Sequence, residues 1–325
     1  MAIVSLLSRP RSLGLILAAA LGLLVVTGCS SDSDQSPGGA TAGAYPLTVA
    51  TATGDTTIEK KPERVVTLGN PAFENVLALG VDPVGASVNN IEKLPYLAEY
   101  AGHEAINGEL ADVYANEINY EGILALTPDL IVAPAWPQFK DKAVVAKLEQ
   151  IAPTLVFDMQ DAAKDWRVGV RQVAQAFDKV DEGEKLITAA VDAFSTVGAR
   201  HPGLAAKPYS FGLYYNSDIM LASGGNILRL FGMRPATDQA AVEDADARTV
   251  YSGETAGDVD GELVLLLPSP RTAIPRLEAA PAWAGNLSKR VVWLSDAQGE
   301  AINNAGILGK TWAPGDLDAT FARLG

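Results

Sequence analysis

The chain has 325 residues and carries 25 basic against 39 acidic side chains, a formal net charge of −14. That balance speaks against nucleic acid and anionic lipid surfaces as partners, because both demand basic patches for phosphate contact and counterion release. One cysteine, Cys29, excludes an internal disulfide, and two histidines, His103 and His201, are too few to converge on zinc or manganese carried directly.

Arg9 and Arg11 precede an apolar run from Leu13 to Val26, shorter than the about 20 residues of a comfortable membrane span. The run ends in Val26-Thr27-Gly28-Cys29, small or β-branched residues ahead of the lone thiol. This is the pattern of a bacterial lipoprotein signal. Residues 1–28 are expected to be removed and Cys29 acylated, which leaves 297 of the 325 residues held outside the cytoplasm on the membrane, with a net charge of −16. Each buried CH2 of the acyl chains contributes about 0.8 kcal/mol to that anchor. Residues 29–44 lack large apolar side chains and read as a flexible tether, reaching roughly 20 Å at about 5–6 Å times the square root of its length.

The folded body is predicted to start with a strand at Arg64 to Gly69 and a helix from Phe73 to Gly80, each closed by glycine. Val84 to Val88 reads as a strand, Tyr120 to Leu126 as a helix, Leu130 to Ala133 as a buried strand, Val144 to Ile151 as a helix and Thr154 to Phe157 as a strand. Such alternation implies a parallel sheet covered on both faces. Trp166, Val170, Val173 and Phe177 then mark one helix. A longer one runs from about Glu182 to Arg200, spans close to 30 Å and could brace two lobes.

Beyond it the theme repeats, with strands at Tyr209 to Tyr214, Leu263 to Leu267 and Val291 to Leu294, a helix at Asn226 to Gly232 and a closing helix from Leu317 to Leu324. Tyr120-Glu121-Gly122 ahead of one strand is echoed by Gly253-Glu254-Thr255 ahead of another, which suggests two related halves. The organisation is an α/β lobe at 45–178, an inter-lobe helix at 179–203 and a second α/β lobe at 204–325. Each half is long enough for its own core.

Three stretches resemble the periplasmic-binding-protein family that serves ABC importers of ferric siderophores, haem and cobalamin. They are Lys60-Lys61-Pro62-Glu63-Arg64-Val65-Val66-Thr67-Leu68, the segment Asn119 to Val132, and Leu148-Glu149-Gln150-Ile151-Ala152-Pro153-Thr154-Leu155-Val156. The resemblance implies two Rossmann-like lobes joined by one long helix, a ligand cleft between them and no enzyme chemistry. It implies an iron(III)-siderophore complex as ligand, with the iron held by the chelator and no cofactor or direct metal site. It also implies a monomer docking on a permease through one exposed glutamate per lobe, Glu121 and Glu254.

Ligand contacts are expected from loops at the carboxyl ends of strands, where open α/β sheets place their clefts. Trp136, Tyr214 and Tyr215 offer stiff aromatic faces suited to a preformed chelate. Asn70, Arg271, Asn303 and Asn304 follow strands as polar candidates, Arg271 suiting an anionic edge. Ser223-Gly224-Gly225-Asn226 reads as a helix start, with anion binding by its amides as the alternative. Haem stays open through a ligating tyrosine, and cobalamin through the aromatic walls. Nucleophilic catalysis lacks a Gly-x-Ser-x-Gly elbow, which leaves a tethered structural protein or a carboxylate-based enzyme as the readings from other classes. Overall acidity tilts the ligand toward neutral or cationic hydroxamate-type complexes, and a helical brace implies little lobe closure.

Overall fold

A computed structural model describes residues 44–106, 110–112, 117–159, 165–245 and 247–324. Cys29, the leader and all of the tether except Ala44 lie outside them. Among the described residues no helix is long and apolar enough to cross a membrane.

The body opens with a hairpin absent from the sequence reading. β1 (Leu47–Thr51) pairs antiparallel with β2 (Gly54–Ile58) around Gly54, whose φ is 121°. Its threonine-rich strands bury only Val49, Thr56 and Ile58, so no apolar run announces it. Next come β3 (Val65–Leu68), α1 (Asn70–Ala78) and β4 (Gly85–Ser87). α1 begins three residues earlier than predicted, because Gly69 turns the chain at φ 100° and Pro71 sits in the first turn, where its missing N–H costs nothing.

A two-residue pair, β5 (Ala111–Asp112) with β6 (Glu117–Ile118), precedes α2 (Tyr120–Ala125) and β7 (Leu130–Pro134). Then follow α3 (Pro137–Lys140), α4 (Lys142–Glu149) and β8 (Thr154–Phe157). The first sheet is parallel as expected, in order β4-β3-β7-β8. Two of the stretches that carried the resemblance form one clasp. The Asp129 carboxylate accepts from the amides of Glu63 and Arg64, while the Arg64 guanidinium donates to the carbonyls of Leu126 at 2.6 Å and Thr127 at 3.1 Å.

Two helices follow, α5 (Trp166–Ala176) and α6 (Val180–Arg200). Alternation along the strands gives the first sheet two apolar faces. Val65, Leu130, Val132, Leu155 and Phe157 pack with Val76 of α1 and Val173 of α5, while Val66, Leu68, Ile131, Ala133 and Val156 pack with Ile123 of α2 and Leu148 of α4. α6 has 21 residues and is the predicted brace. Leu186 touches the first core, and Ile187, Ala190, Phe194 and Val197 belong to the second.

The second half holds β9 (Tyr209–Tyr215), β10 (Asp218–Leu221), α7 (Thr237–Ala245) and β11 (Val250–Tyr251). It continues with β12 (Leu263–Pro268), α8 (Ile274–Glu278), α9 (Pro281–Gly285) and β13 (Val291–Trp293), and closes with α10 (Asp296–Asn303) and α11 (Ile307–Phe321). Here the expectation of a repeated parallel theme fails in part. The order is β11-β10-β9-β12-β13, with β9, β12 and β13 parallel but β10 antiparallel to both β9 and β11.

The helix expected at Asn226 to Gly232 is a 3-10 segment, Ser223–Phe231. The segment expected to echo α2 is only a three-residue turn, Ala256–Asp258. The closing helix starts ten residues earlier than Leu317, its first turns disguised by Gly309, Pro314 and Gly315.

The lobes also meet away from α6. No side chain of α11's own N-cap, Gly306, can cap its first turn. The Asn75 side-chain oxygen accepts from the Ile307 amide at 2.8 Å and Glu74 Oε2 from the Gly309 amide at 2.8 Å, so residues of one lobe cap a helix of the other. Gly306 permits this approach, since a Cβ there would fall 2.7 Å from the Glu74 side chain. Phe73, Val88, Leu94 and Leu97 pack beside them with Ala297, Leu308 and Trp312 in one apolar cluster shared by both lobes.

Candidate functional site

A cleft lies between the lobes, and its walls are the segments that follow strand carboxyl ends. Its larger cavity measures about 490 Å³. The first lobe contributes Asn70 after β3 and Asn89, Asn90 and Lys93 after β4; the second contributes Leu267 to Thr272 at the end of β12, with Asp296 and Glu300 after β13. An adjoining cavity of about 200 Å³ shares Asn70, Asn89 and Glu300 and adds Trp136, Pro137, Gln138 and Asn304. The larger volume falls in the range of small-molecule sites.

Trp136 stands where the sequence placed it, partly exposed at the mouth of β7. Its carbonyl accepts from the Phe139 and Lys140 amides, and its ring stacks on Phe139 at 6.4 Å. Its edge rests on Gly69, where any Cβ would sit 2.8 Å from the ring. Asn70 lines both cavities but is nearly buried, because its amide group is spent on Asn89: Nδ2 donates to the Asn89 carbonyl at 3.0 Å and Oδ1 accepts from the Asn89 amide at 2.8 Å. It shapes the wall rather than offering a free hand.

Arg271 reaches the larger cavity with its Nη1 bound to the Leu294 carbonyl at 2.8 Å and 3.7 Å from Asp296. Lys93 approaches the same Asp296 at 4.0 Å. Asn304 lines the smaller cavity and donates to Glu300 Oε2 at 3.3 Å.

Three candidates are corrected. Tyr214 is 1% exposed and packs in the core of the second lobe near Trp293, with ring centroids 6.2 Å apart. It faces the same side of the sheet as Val264 and Leu266. It lines neither cavity, and its hydroxyl is not presented to the cleft as a haem ligand would be. Tyr215 is 47% exposed but lines neither cavity, because β9 runs through a two-residue turn, Asn216-Ser217, straight into β10. Asn303 abuts Gly224, where a Cβ would fall 2.3 Å from its Oδ1, and borders a cavity of about 10 Å³, about enough for one water, and neither of the two larger ones.

The Ser223-Gly224-Gly225-Asn226 start is a packing device. Tyr209 donates to the Gly225 carbonyl, and the absent Gly225 side chain admits Phe211, Gln239 and Glu243. His103 and His201 are each paired with a different aspartate, Asp82 at 2.8 Å and Asp318 at 2.6 Å, and do not converge.

Sequence reasoning missed Asn89, Lys93, Asp296 and Glu300. Asn89 and Lys93 follow the predicted strand at Val84 to Val88, so the strand-end rule would have found them. Glu300 was announced by Ser295-x-x-Gln298, a capping box that sets α10 directly after β13.

Beneath Glu300 lies a buried set of ionisable groups drawn from both lobes. Burial pushes Glu74 up to about 8, against the pull of the Gly309 and Gly306 amides and of Lys310. Burial also pulls the Lys310 ammonium down to about 7, although Glu74 and Glu300 favour its charge and its Nζ donates to the Ala301 and Ile302 carbonyls at 2.9 Å. Burial raises Glu300 and Tyr96 as well. Glu74 Oε1 and the Tyr96 hydroxyl are buried without a hydrogen-bond partner.

A family model described as periplasmic binding protein matches residues 65–285. The chain belongs to this family. Its work is binding, not catalysis. The Fe(3+)-citrate-binding protein YfmC of Bacillus subtilis is 24% identical over 269 residues, 81% of this chain and 82% of that protein. The iron(3+)-hydroxamate-binding protein FhuD of the same organism is 30% identical over 178 residues, 54% of this chain and 47% of that one.

Among solved structures, a periplasmic solute binding protein from Mycobacterium smegmatis superposes with a TM-score of 0.70 at 26% identity, covering 86% of this chain and 99% of that one. Staphylococcus aureus SirA, complexed with staphyloferrin B, superposes with a TM-score of 0.69 at 22% identity, covering 85% and 98%. The two-lobed α/β architecture of this periplasmic binding protein is thus a known fold.

Proposed function

We propose that the protein is a lipid-anchored, extracytoplasmic receptor that captures a ferric siderophore in the inter-lobe cleft and delivers it to the permease of an ABC importer. The observation that carries this reading is the pair of adjoining cavities walled by both lobes, with Trp136 at one end and Arg271 and Lys93 at the other, in a chain whose relatives bind ferric citrate and ferric hydroxamate. An aromatic face, several asparagines and exposed prolines suit a bulky chelate whose iron is already coordinated.

Charge in the cleft is balanced between Lys93 and Arg271 on one side and Asp296 and Glu300 on the other. That balance suits an uncharged hydroxamate-type complex better than anionic ferric citrate or catecholates, and the overall acidity of the chain extends the preference to cationic complexes.

Delivery rests on Glu121 and Glu254. Both are exposed, Glu121 in the first turn of α2 and Glu254 in the turn after β11. Each has an exposed apolar residue nearby in sequence, Leu124 at 56% and Val250 at 41%. Replacing both glutamates with alanine is expected to leave chelate binding unchanged and abolish uptake by cells.

The binding claim is tested by titrating the protein with a ferric trihydroxamate. Stoichiometric quenching of tryptophan fluorescence with a saturable rise in thermal stability is the expected result, since a ligand at 100 times its Kd stabilises the native state by about 2.7 kcal/mol. Release of an altered product would point to an enzyme, and no response to any ferric chelate would remove the reading.

A further inference from the structure

Asn70, Asn89 and Glu300 are the residues common to both cavities, and Glu300 is the only ionisable one of the three. It therefore sits where the cavities join, on the cleft floor. The other charges of the larger cavity contact one another, with Asp296 between Arg271 at 3.7 Å and Lys93 at 4.0 Å. Glu300 makes no such contact. Among the described residues no cation lies within ion-pair distance of it, and its only side-chain hydrogen bond is the 3.3 Å donation from Asn304 to Oε2. Lys310, the buried cation behind it, is occupied by the carbonyls of Ala301 and Ile302 and also answers the carboxyl of Glu74.

Resting on the siderophore reading, we propose that Glu300 is the residue that determines specificity, selecting ferric chelates that carry a positively charged group, such as a free primary ammonium, over uncharged or anionic ones. A carboxylate on a helix that lines the cleft discriminates between an ammonium and its acylated counterpart by a charge-assisted hydrogen bond. The Asn304 bond leaves Oε1 free for that contact.

Protonation works against the contact. The groups facing Glu300 are Lys310 from α11, Glu74 from α1, Tyr96 from the 3-10 segment after β4, and Arg271, Lys93 and Asp296 across the cavity; Asp165 acts on Lys310. Burial raises the Glu300 carboxyl above its ordinary range, so acidification neutralises it early. The preference for a cation is therefore strongest at alkaline pH and fades as pH falls. A cationic chelate favours the ionised carboxylate, so below the raised pKa its binding is coupled to proton release.

The test compares two probes that differ by one charge: the ferric complex of a linear trihydroxamate ending in a primary ammonium, and the same complex with that amine acetylated. Affinities are measured by fluorescence quenching at pH 8 and pH 5 on the wild type and on Glu300→Gln. Wild type is expected to favour the ammonium form by about 10-fold or more at pH 8 and by less at pH 5. Glu300→Gln is expected to bind the two forms within about 2-fold of each other.

A second measurement needs no variant. Calorimetry of wild type at pH 5 in buffers of different ionisation enthalpy is expected to show more proton release with the ammonium form than with the acetylated form. Equal affinity of wild type for the two complexes, or a preference that survives in Glu300→Gln, would overturn this inference and leave the siderophore reading standing. Binding of neither complex would remove that reading and this inference with it.

Discussion

The two lobes wall one cleft, yet they are built differently. In the first, all four strands of the main sheet are parallel, and the ends of β3, β4 and β7 each deliver a cleft residue: Asn70, Asn89 and Trp136. In the second, β9 turns back into β10, so only the segments after β12 and β13 reach the cleft, and α10 supplies Glu300 and Asn304. A strand end feeds a site when it opens into a crossover and not when it closes into a tight hairpin. The contrast accounts for the opposite fates of Trp136 and Tyr215, two exposed aromatics at strand ends that look equivalent in sequence.

The largest expected effect breaks the second lobe's own support. Glu243 is 2% exposed and holds Tyr209 at 2.9 Å, Gln239 at 2.8 Å and Arg229 at 2.8 Å, tying α7 and the 3-10 segment to β9. Glu243→Ala removes the acceptor of the bonds from Tyr209, Gln239 and Arg229, although the exposed Arg229 keeps Asp244 at 2.9 Å, and should cost about 3 kcal/mol in urea unfolding at about 1 kcal/mol per bond. No comparable network of ionised side chains backs the first sheet among the described residues. A loss below about 1 kcal/mol would mean that the network is not what secures the irregular lobe.

Next comes the aromatic pair that sharpens the comparison most directly. Trp136→Ala is expected to weaken chelate binding by about 2 kcal/mol, roughly 30-fold, while Tyr215→Ala should leave it within about 2-fold. Equal losses would show that the β9 hairpin also faces the ligand.

The third effect concerns the seam between the lobes. Glu74 holds its proton up to about 8 in the folded protein, against about 4.5 when free, so the folded state binds the extra proton between those values. Its contribution is full below about 4.5 and is lost as pH rises through about 8, at a slope of at most about 1.4 kcal/mol per pH unit. Lys310, lowered to about 7 from 10.5, acts in the opposite sense above neutrality, where stability recovers as pH rises. Unfolding measured at pH 5 and pH 7 isolates the carboxyl side: wild type should lose stability over this interval, and Glu74→Gln should flatten part of the loss. An unchanged slope would place the titration elsewhere.

How much of this was legible depends on the kind of signal each element leaves. β3, β7 and β8 are short β-branched or aliphatic runs bounded by glycine, proline or aspartate, and α6 has a clean apolar stripe, so all were found. β10 escaped because its turn is Asn216-Ser217, which takes positive φ at 52° and 77° without the glycine that usually marks a hairpin. α11 was truncated because its first turns contain Gly309 and are capped by Glu74 and Asn75, more than 230 residues away in sequence. Trp136 and Arg271, chosen from strand ends alone, line the cavities. Asn70 was found as well, but its work on Asn89 is a tertiary contact that spacing does not carry. Glu300 lay between Ser295 and Asn303 in a stretch read for its asparagines, and only the packing of α10 against the cleft turns it into a floor.

The central claim is that the space between the lobes holds the iron-loaded ligand. It is tested most directly by crystals grown with a ferric trihydroxamate and measured at the iron absorption edge. A single anomalous peak is expected in the cleft, between Trp136 and Arg271 and above Glu300. A peak outside that space, or a fully occupied chelate bound on another face, would contradict the account.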